Sequence, residues 1–156
     1  MLLIKEIINM ETDKLISIYK TKKEYKLYPS SLNQYGFWNA ISPCYVLSIT
    51  CDLQNLARSI KEALTKSNIA QITFDKDKDY DQSLKLHELG VKTWSELYRT
   101  SKSCTLSLNH NILKLTPYKH EGRKGNFPIV EKIQTFFVDD FENAVLGVIE
   151  ILNDKE

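Results

Sequence analysis

The sequence predicts an α+β fold: a mostly antiparallel sheet with helices packed on it, in which two hairpin-strand-helix units look like copies of one another. Three observations lead there. Two stretches alternate apolar and polar residues about a turn, two others pass from a short strand through an aspartate into a helical stripe, and residues 81–101 between them have helical spacing. At 156 residues the chain suits a single domain, 1–156, long enough to build a real core. Its 42% hydrophobic and 26% charged residues exclude a disordered or fibrous chain. No apolar run approaches the roughly 18 residues of a membrane span.

The elements follow in order. Met1 to Ile8 reads as a strand or the first edge of the core. Its apolar run is too short, and Glu6 comes too early, for an export signal, so the expected location is the cytoplasm. Leu15 to Leu27 has the β-branched and aromatic content of a hairpin about Thr21-Lys22-Lys23-Glu24. Residues 28–43, with two prolines and a glycine, read as a loop, and an aromatic one. A strand at Tyr45 to Thr50 leads to Asp52, placed to cap a helix whose stripe is Leu53, Leu56, Ala57, Ile60 and Leu64. Leu84, His87 and Leu89 form a helix ended by Gly90, and Trp94, Leu97 and Tyr98 another that starts from Thr93. Cys104, Leu106 and Leu108 alternate up to a turn at Asn109-His110-Asn111, then Leu113 and Leu115 alternate until Pro117 ends the strand. Thr135 to Val138 is a strand, Asp139 or Asp140 caps, and Phe141, Val145, Val148 and Leu152 form the last stripe. Laying Asp52 on Asp140 matches Leu53 with Phe141, Ile60 with Val148 and Leu64 with Leu152, which suggests an internal repeat of 14–66 in 103–152.

Chemistry-bearing signals are few. Cys44, Cys51 and Cys104 are an odd set with no Cys-x-x-Cys pair, which argues against zinc and against a disulfide scaffold and for reduced thiols. Asp75, Asp77, Asp79 and Asp81 alternate like a calcium loop, but Tyr80 and Leu86 stand where such a loop needs Gly and Glu. That leaves a solvated acidic loop or an acidic surface for a basic protein. Residues 117–128 form a long basic loop with Lys119, His120, Glu121, Arg123 and Lys124. It could serve a ribonuclease with His120 as base, or bind nucleic acid with Tyr118 and Phe127 as stacking platforms, in a module spanning 92–124. His87 and His110 lie in unrelated elements, and no phosphate-cradling glycine loop, nucleophile elbow or His-Glu-x-x-His pattern occurs, so the chain reads as non-enzymatic, with no cofactor and no metal. Tyr35, Phe37, Trp38 and Tyr45 read as core first and contact surface second. The net charge of +1 hides a basic third quarter, 91–128, followed by an acidic tail, 129–156, and the two blocks are expected to pack near each other and neutralise.

Tyr35-Gly36-Phe37-Trp38 with Ser42-Pro43-Cys44-Tyr45, then Leu89-Gly90-Val91-Lys92-Thr93-Trp94-Ser95-Glu96-Leu97-Tyr98, Lys102-Ser103-Cys104 and Leu115 to Glu121, resemble the contact-dependent growth inhibition immunity proteins of bacteria. The resemblance runs in order from about residue 30 to 152. It implies a small cytoplasmic protein that binds and neutralises the C-terminal toxin domain of a cognate exported protein, often a nuclease, with no active-site residues of its own and no membrane partner. Its contact residues are then expected in one of two charged segments: Asp75, Asp77, Asp79 and Asp81, or Lys119, Arg123 and Lys124. The acidic segment is preferred, because a nuclease must present positive charge to phosphates.

Overall fold

A computed structural model describes residues 13–69 and 82–154. The expected strand at Met1 to Ile8 lies outside them. Among the described residues nine strands form one sheet, in the order β3 (Trp38–Ala40), β2 (Glu24–Leu32), β1 (Lys14–Lys20), β6 (Lys102–Asn109), β7 (Ile112–His120), β8 (Asn126–Pro128), with β4 (Tyr45–Ser48) and β5 (Asn68–Ile69) also paired to β2 and β9 (Gln134–Phe137) to β7. All pairings are antiparallel except that of β5 (Asn68–Ile69) with β2. The architecture is therefore the expected α+β one.

The hairpin of β1 (Lys14–Lys20) and β2 (Glu24–Leu32) turns where Thr21 Oγ1 accepts from the Lys23 and Glu24 amides. In the hairpin of β6 (Lys102–Asn109) and β7 (Ile112–His120), His110 and Asn111 both take positive φ, 47° and 66°, as a two-residue turn matched to strand twist requires. Leu106 lies opposite Ile16 on one side and Leu115 on the other, so the two hairpins are joined through β1 and β6.

Two expectations fail at prolines. Residues 28–43 are not all loop: β2 continues through Pro29 to Leu32, and β3 (Trp38–Ala40) returns alongside it. Pro117 likewise sits inside β7 and does not end it. On its outer edge β2 changes partner from β4 (Tyr45–Ser48) to β3 around Pro29, and β7 changes from β9 (Gln134–Phe137) to β8 (Asn126–Pro128) around Pro117. Each proline carbonyl accepts one amide there, from Ile41 (2.9 Å) and Ile129 (2.9 Å). Both prolines thus turn their backbone polar groups to a break in the ladder, where the missing N–H removes nothing. One constant shift along the chain carries the starts Lys14 to Lys102, Glu24 to Ile112, Trp38 to Asn126 and Leu53 to Phe141, a spacing that does not by itself make the halves copies of one unit.

The likeness stops at the helix caps. Helix α1 (Leu53–Lys66) begins with Asp52 Oδ1 accepting from the Asn55 amide at 2.7 Å. Helix α4 (Phe141–Leu152) is entered through a 3-10 turn, Val138–Asp140, which leaves Asp140 at ψ 34° instead of extended. Its carboxylate cannot reach back to the first-turn amides and accepts instead from the Asn143 side chain at 2.6 Å. Asp52→Ala is expected to cost about 0.5–2 kcal/mol, and Asp140→Ala to stay within about 0.5 kcal/mol. Urea midpoints of the two variants check this, and equal losses would refute the difference.

Helices α1 and α4 bury Leu56, Ile60, Leu64, Phe141, Val145 and Val148 against one face of the sheet, where Ile16, Ile18, Leu27, Leu106, Leu113 and Leu115 form the main core. On the other face α2 (Ser83–Leu89), ended by Gly90 at φ 70°, and α3 (Trp94–Arg99), capped by Thr93 Oγ1, cover a smaller cluster of Tyr19, Tyr28, Leu89 and Leu97. Two lysines are buried because helices end over them. Lys14 Nζ donates to the Ser67 carbonyl at 2.6 Å beyond α1, and Lys26 Nζ donates to the Leu89 carbonyl at the end of α2. An ammonium is stabilised at a helix C-terminus, where carbonyls lack amide partners and the dipole is negative. No described helix is long and apolar enough to cross a membrane.

Candidate functional site

Of the two charged segments, Asp75, Asp77, Asp79 and Asp81 lie outside the described residues. The basic one is not the long open loop expected. Strand β7 runs to His120, a 3-10 turn at Gly122–Lys124 reverses the chain with Gly122 at φ 59° and Gly125 at φ 97°, and β8 pairs back along β7. Lys119, Arg123 and Lys124 are all exposed at this tip.

The fold brings other cations to the same end of the sheet. Lys20 at the end of β1 lies opposite Lys102 at the start of β6, and α3 ends at Arg99 just before it. Arg99, Lys102, Lys119 and Lys132 line a groove of about 290 Å³, with Tyr98, Tyr118 and His120 among its other walls. Three lysines there hold the C-terminal end of α4: Lys132 Nζ donates to Asp154 Oδ2 at 2.6 Å, Lys102 Nζ to the Asp154 carbonyl, and Lys20 Nζ to Asn153 Oδ1. The Lys132 hydrogen bond and charge hold the Asp154 carboxyl below its usual range. The basic block 91–128 and the acidic tail 129–156 do pack together, along β7 and β9 as well as here, but the ion pair Lys132–Asp154 lies within the tail itself. Among the described residues the ion pairs are Lys132–Asp154 and Lys26–Glu24, and Arg99, Lys119, Arg123 and Lys124 join neither.

Beside the groove is a second cavity of about 210 Å³, which shares Tyr98, Ser103 and Tyr118 with it and is floored by Ser17, Tyr19, Tyr28 and Thr105. Tyr19 and Tyr28 join hydroxyls at 3.0 Å, Tyr98 stacks on both Tyr19 and Trp94, and Trp94 meets Tyr28 edge-on at 5.5 Å. Burial pushes all three tyrosine hydroxyls up, Tyr98 to about 12. Sequence reasoning missed this site because it followed only the apolar half of each alternation. The signal was in the other half: Ser17 and Tyr19, Ser103 and Thr105, Thr116 and Tyr118 all point to the face opposite the main core.

His120 does not stand as an acid-base pair. Its Nδ1 is 2.7 Å from Asn126 Oδ1 and its ring 5.8 Å from that of Tyr98. His110 lies in the β6–β7 turn at the opposite end of those strands, and His87 lies on α2. Among the described residues no three of His, Cys, Asp or Glu gather as a metal site. All three cysteines are free, Cys104 buried and Cys44 and Cys51 half-buried. The aromatic group divides. Trp38 and Tyr45 are half-buried, but Tyr35 and Phe37, expected in the core, are each 67% exposed on a turn where Asn33 Oδ1 accepts both their amides. The described surface carries cations, hydroxyls and rings at this end of the sheet.

Known proteins place this architecture. A protein of unknown function from Neisseria meningitidis, NMB0488, is similar in structure with a TM-score of 0.70 and 18% identity, over 93% of this chain and 96% of that one. A chain of the CdiA-CT/CdiI toxin and immunity complex from Yersinia pseudotuberculosis is similar with a TM-score of 0.62 and 18% identity, over 90% and 98%. At such identities the likeness is one of fold. No curated protein matches the sequence. The family described as CdiI, CDI immunity protein, matches residues 14–148, which span both hairpins, the aromatic turn, the basic tip and most of α4. A match of that extent shows the family: the chain belongs to the CdiI family of CDI immunity proteins.

Proposed function

We propose that this protein binds the C-terminal toxin domain of its own contact-dependent growth inhibition system and neutralises it without chemistry of its own. The match to the CdiI family over residues 14–148 carries the reading. The fold shared with a chain from a toxin and immunity complex supports it. The toxin is proposed to be a nuclease and the encounter to take place in the cytoplasm. A nuclease gathers cations around its phosphate site, and Asp75, Asp77, Asp79 and Asp81 are proposed to face them, covering the site or blocking approach to it. Opposite charge would speed the encounter, and the unlike surfaces of other toxins would set partner choice.

The test uses the C-terminal domain of a large exported protein encoded immediately beside this one, which the immunity reading expects. Co-expression is expected to protect cells from that domain alone, and the purified pair to run as one stoichiometric complex. The purified immunity protein is expected to cleave neither RNA nor DNA. Nucleic-acid cleavage lost in His120→Ala would refute the non-enzymatic reading. Salt-dependent binding of unrelated RNA, with no complex formed, would move the assignment to the nucleic-acid module at 92–124.

A further inference from the structure

We infer that the basic end of the sheet is a second contact for the same partner, a docking surface for an acidic, carboxylate-bearing segment of the toxin domain. The inference rests on the immunity reading above.

Three features point there. The first is an uncovered face. Helices α1 and α4 close one side of the sheet across β1, β2, β6 and β7, whereas α2 and α3 cluster on the other side with Tyr19 and Tyr28 of β1 and β2. Ser103, Thr105 and Tyr118 of β6 and β7 stay half-exposed beside the groove, with hydrogen-bonding groups turned outward. The second is unanswered charge. Arg99, Lys119, Arg123 and Lys124 come from α3, β7 and the 3-10 turn, are exposed, and take part in no ion pair among the described residues. Like charges collected at one end repel one another and favour an anionic partner that separates them. The third is the occupant already seated there. Lys132 holds the carboxylate of Asp154 and Lys102 its carbonyl, so the groove's own cations take carboxylate and carbonyl oxygens. A partner's Asp or Glu would extend that pattern to Arg99 and Lys119.

A single-stranded nucleic acid would use the same cations but would also need open ring faces to stack on. Tyr98 already stacks on Tyr19 and Trp94, whereas Phe127 at the tip is exposed and Tyr118 half-exposed, so nucleic acid is the alternative that the RNA arm of the test decides. A protein surface needs no such faces.

The test variant is R99Q/K119Q/R123Q/K124Q, which leaves Lys20, Lys102 and Lys132 on the end of α4. A companion exchanging Arg for Lys and Lys for Arg at the same four positions keeps the charge. Stopped-flow association with the neighbour-encoded toxin domain is read at low and high salt, beside binding of a labelled single-stranded RNA. The expected result is association slowed on the order of tenfold at low salt in the glutamine variant, with a flatter salt dependence, and a near-normal rate in the charge-keeping variant. Equal rates for the glutamine variant and the unmodified protein would overturn the inference and leave the immunity reading intact. So would RNA binding by the unmodified protein that the glutamine variant loses while toxin association is unchanged. An unmodified protein that does not bind the toxin domain at all would overturn both.

Discussion

Raising the pH from about 8 to about 12 is expected to unfold this protein cooperatively, with stability constant below about pH 9 and falling steadily above it. The cause is the set of protonated groups that the fold buries. Burial raises the Cys44 thiol from 9.0 to about 12 and pushes Cys104, wholly buried in the core, higher still. Burial likewise raises Tyr98 from 10.0 to about 12, and Tyr19 well above 10.0, with Tyr28 beside it also raised. For each group the unfolded chain releases its proton at the ordinary value while the folded chain holds it. The stability it contributes is therefore fully present below the unfolded pKa and is lost as pH climbs through the folded one. Lys14 acts the other way, because burial lowers its pKa and the folded chain releases that proton first, so its contribution rises with pH up to 10.5. It is one group against these five, and burial also raises Tyr25, Tyr45 and Cys51. Their losses work in the same direction against a folding margin of about 5–15 kcal/mol. Urea midpoints at about pH 8 and pH 10.5 check the expectation, and the double variant Tyr19→Phe with Tyr28→Phe should show a shallower fall above pH 10. An unchanged midpoint at the higher pH would show that the hydroxyls and thiols ionise without unfolding.

Neutralising Asp75, Asp77, Asp79 and Asp81 to Asn is expected to slow association with the toxin domain on the order of tenfold or more at low salt, and to flatten its dependence on ionic strength. Steering is screened over about 8 Å at physiological salt, so the difference should shrink as salt is added. The dissociation rate should change less, since exposed charges act mainly on the encounter. Association rates of this quadruple variant unchanged across a salt series would remove the acidic segment from the interface. Combined with the basic-end variant, the measurement separates one contact from two: additive losses mean two distant contacts, and a loss confined to one variant means a single surface.

What could be read without coordinates was what is local. The turn at His110-Asn111, the stop at Gly90, the caps at Asp52 and Thr93 and the stripes of α1 and α4 each depend on a few neighbouring residues and on a period of two or 3.6. The α+β class followed from their order. The tertiary structure decided everything that depends on which strand lies beside which. Pro29 and Pro117 look like strand ends in sequence, yet each sits where an outer edge changes partner, so no amide is missed. Lys14 and Lys26 look like surface residues, yet each is buried because a distant helix ends over it. Asp140 looks like Asp52, yet the 3-10 turn before α4 takes its side chain out of reach of the amides. The basic end gathers Lys20, Arg99, Lys102, Lys119 and Lys132, which no short window of sequence contains together. Electrostatic and packing partners are set by distance through space, and once the chain is folded that distance owes little to separation along it.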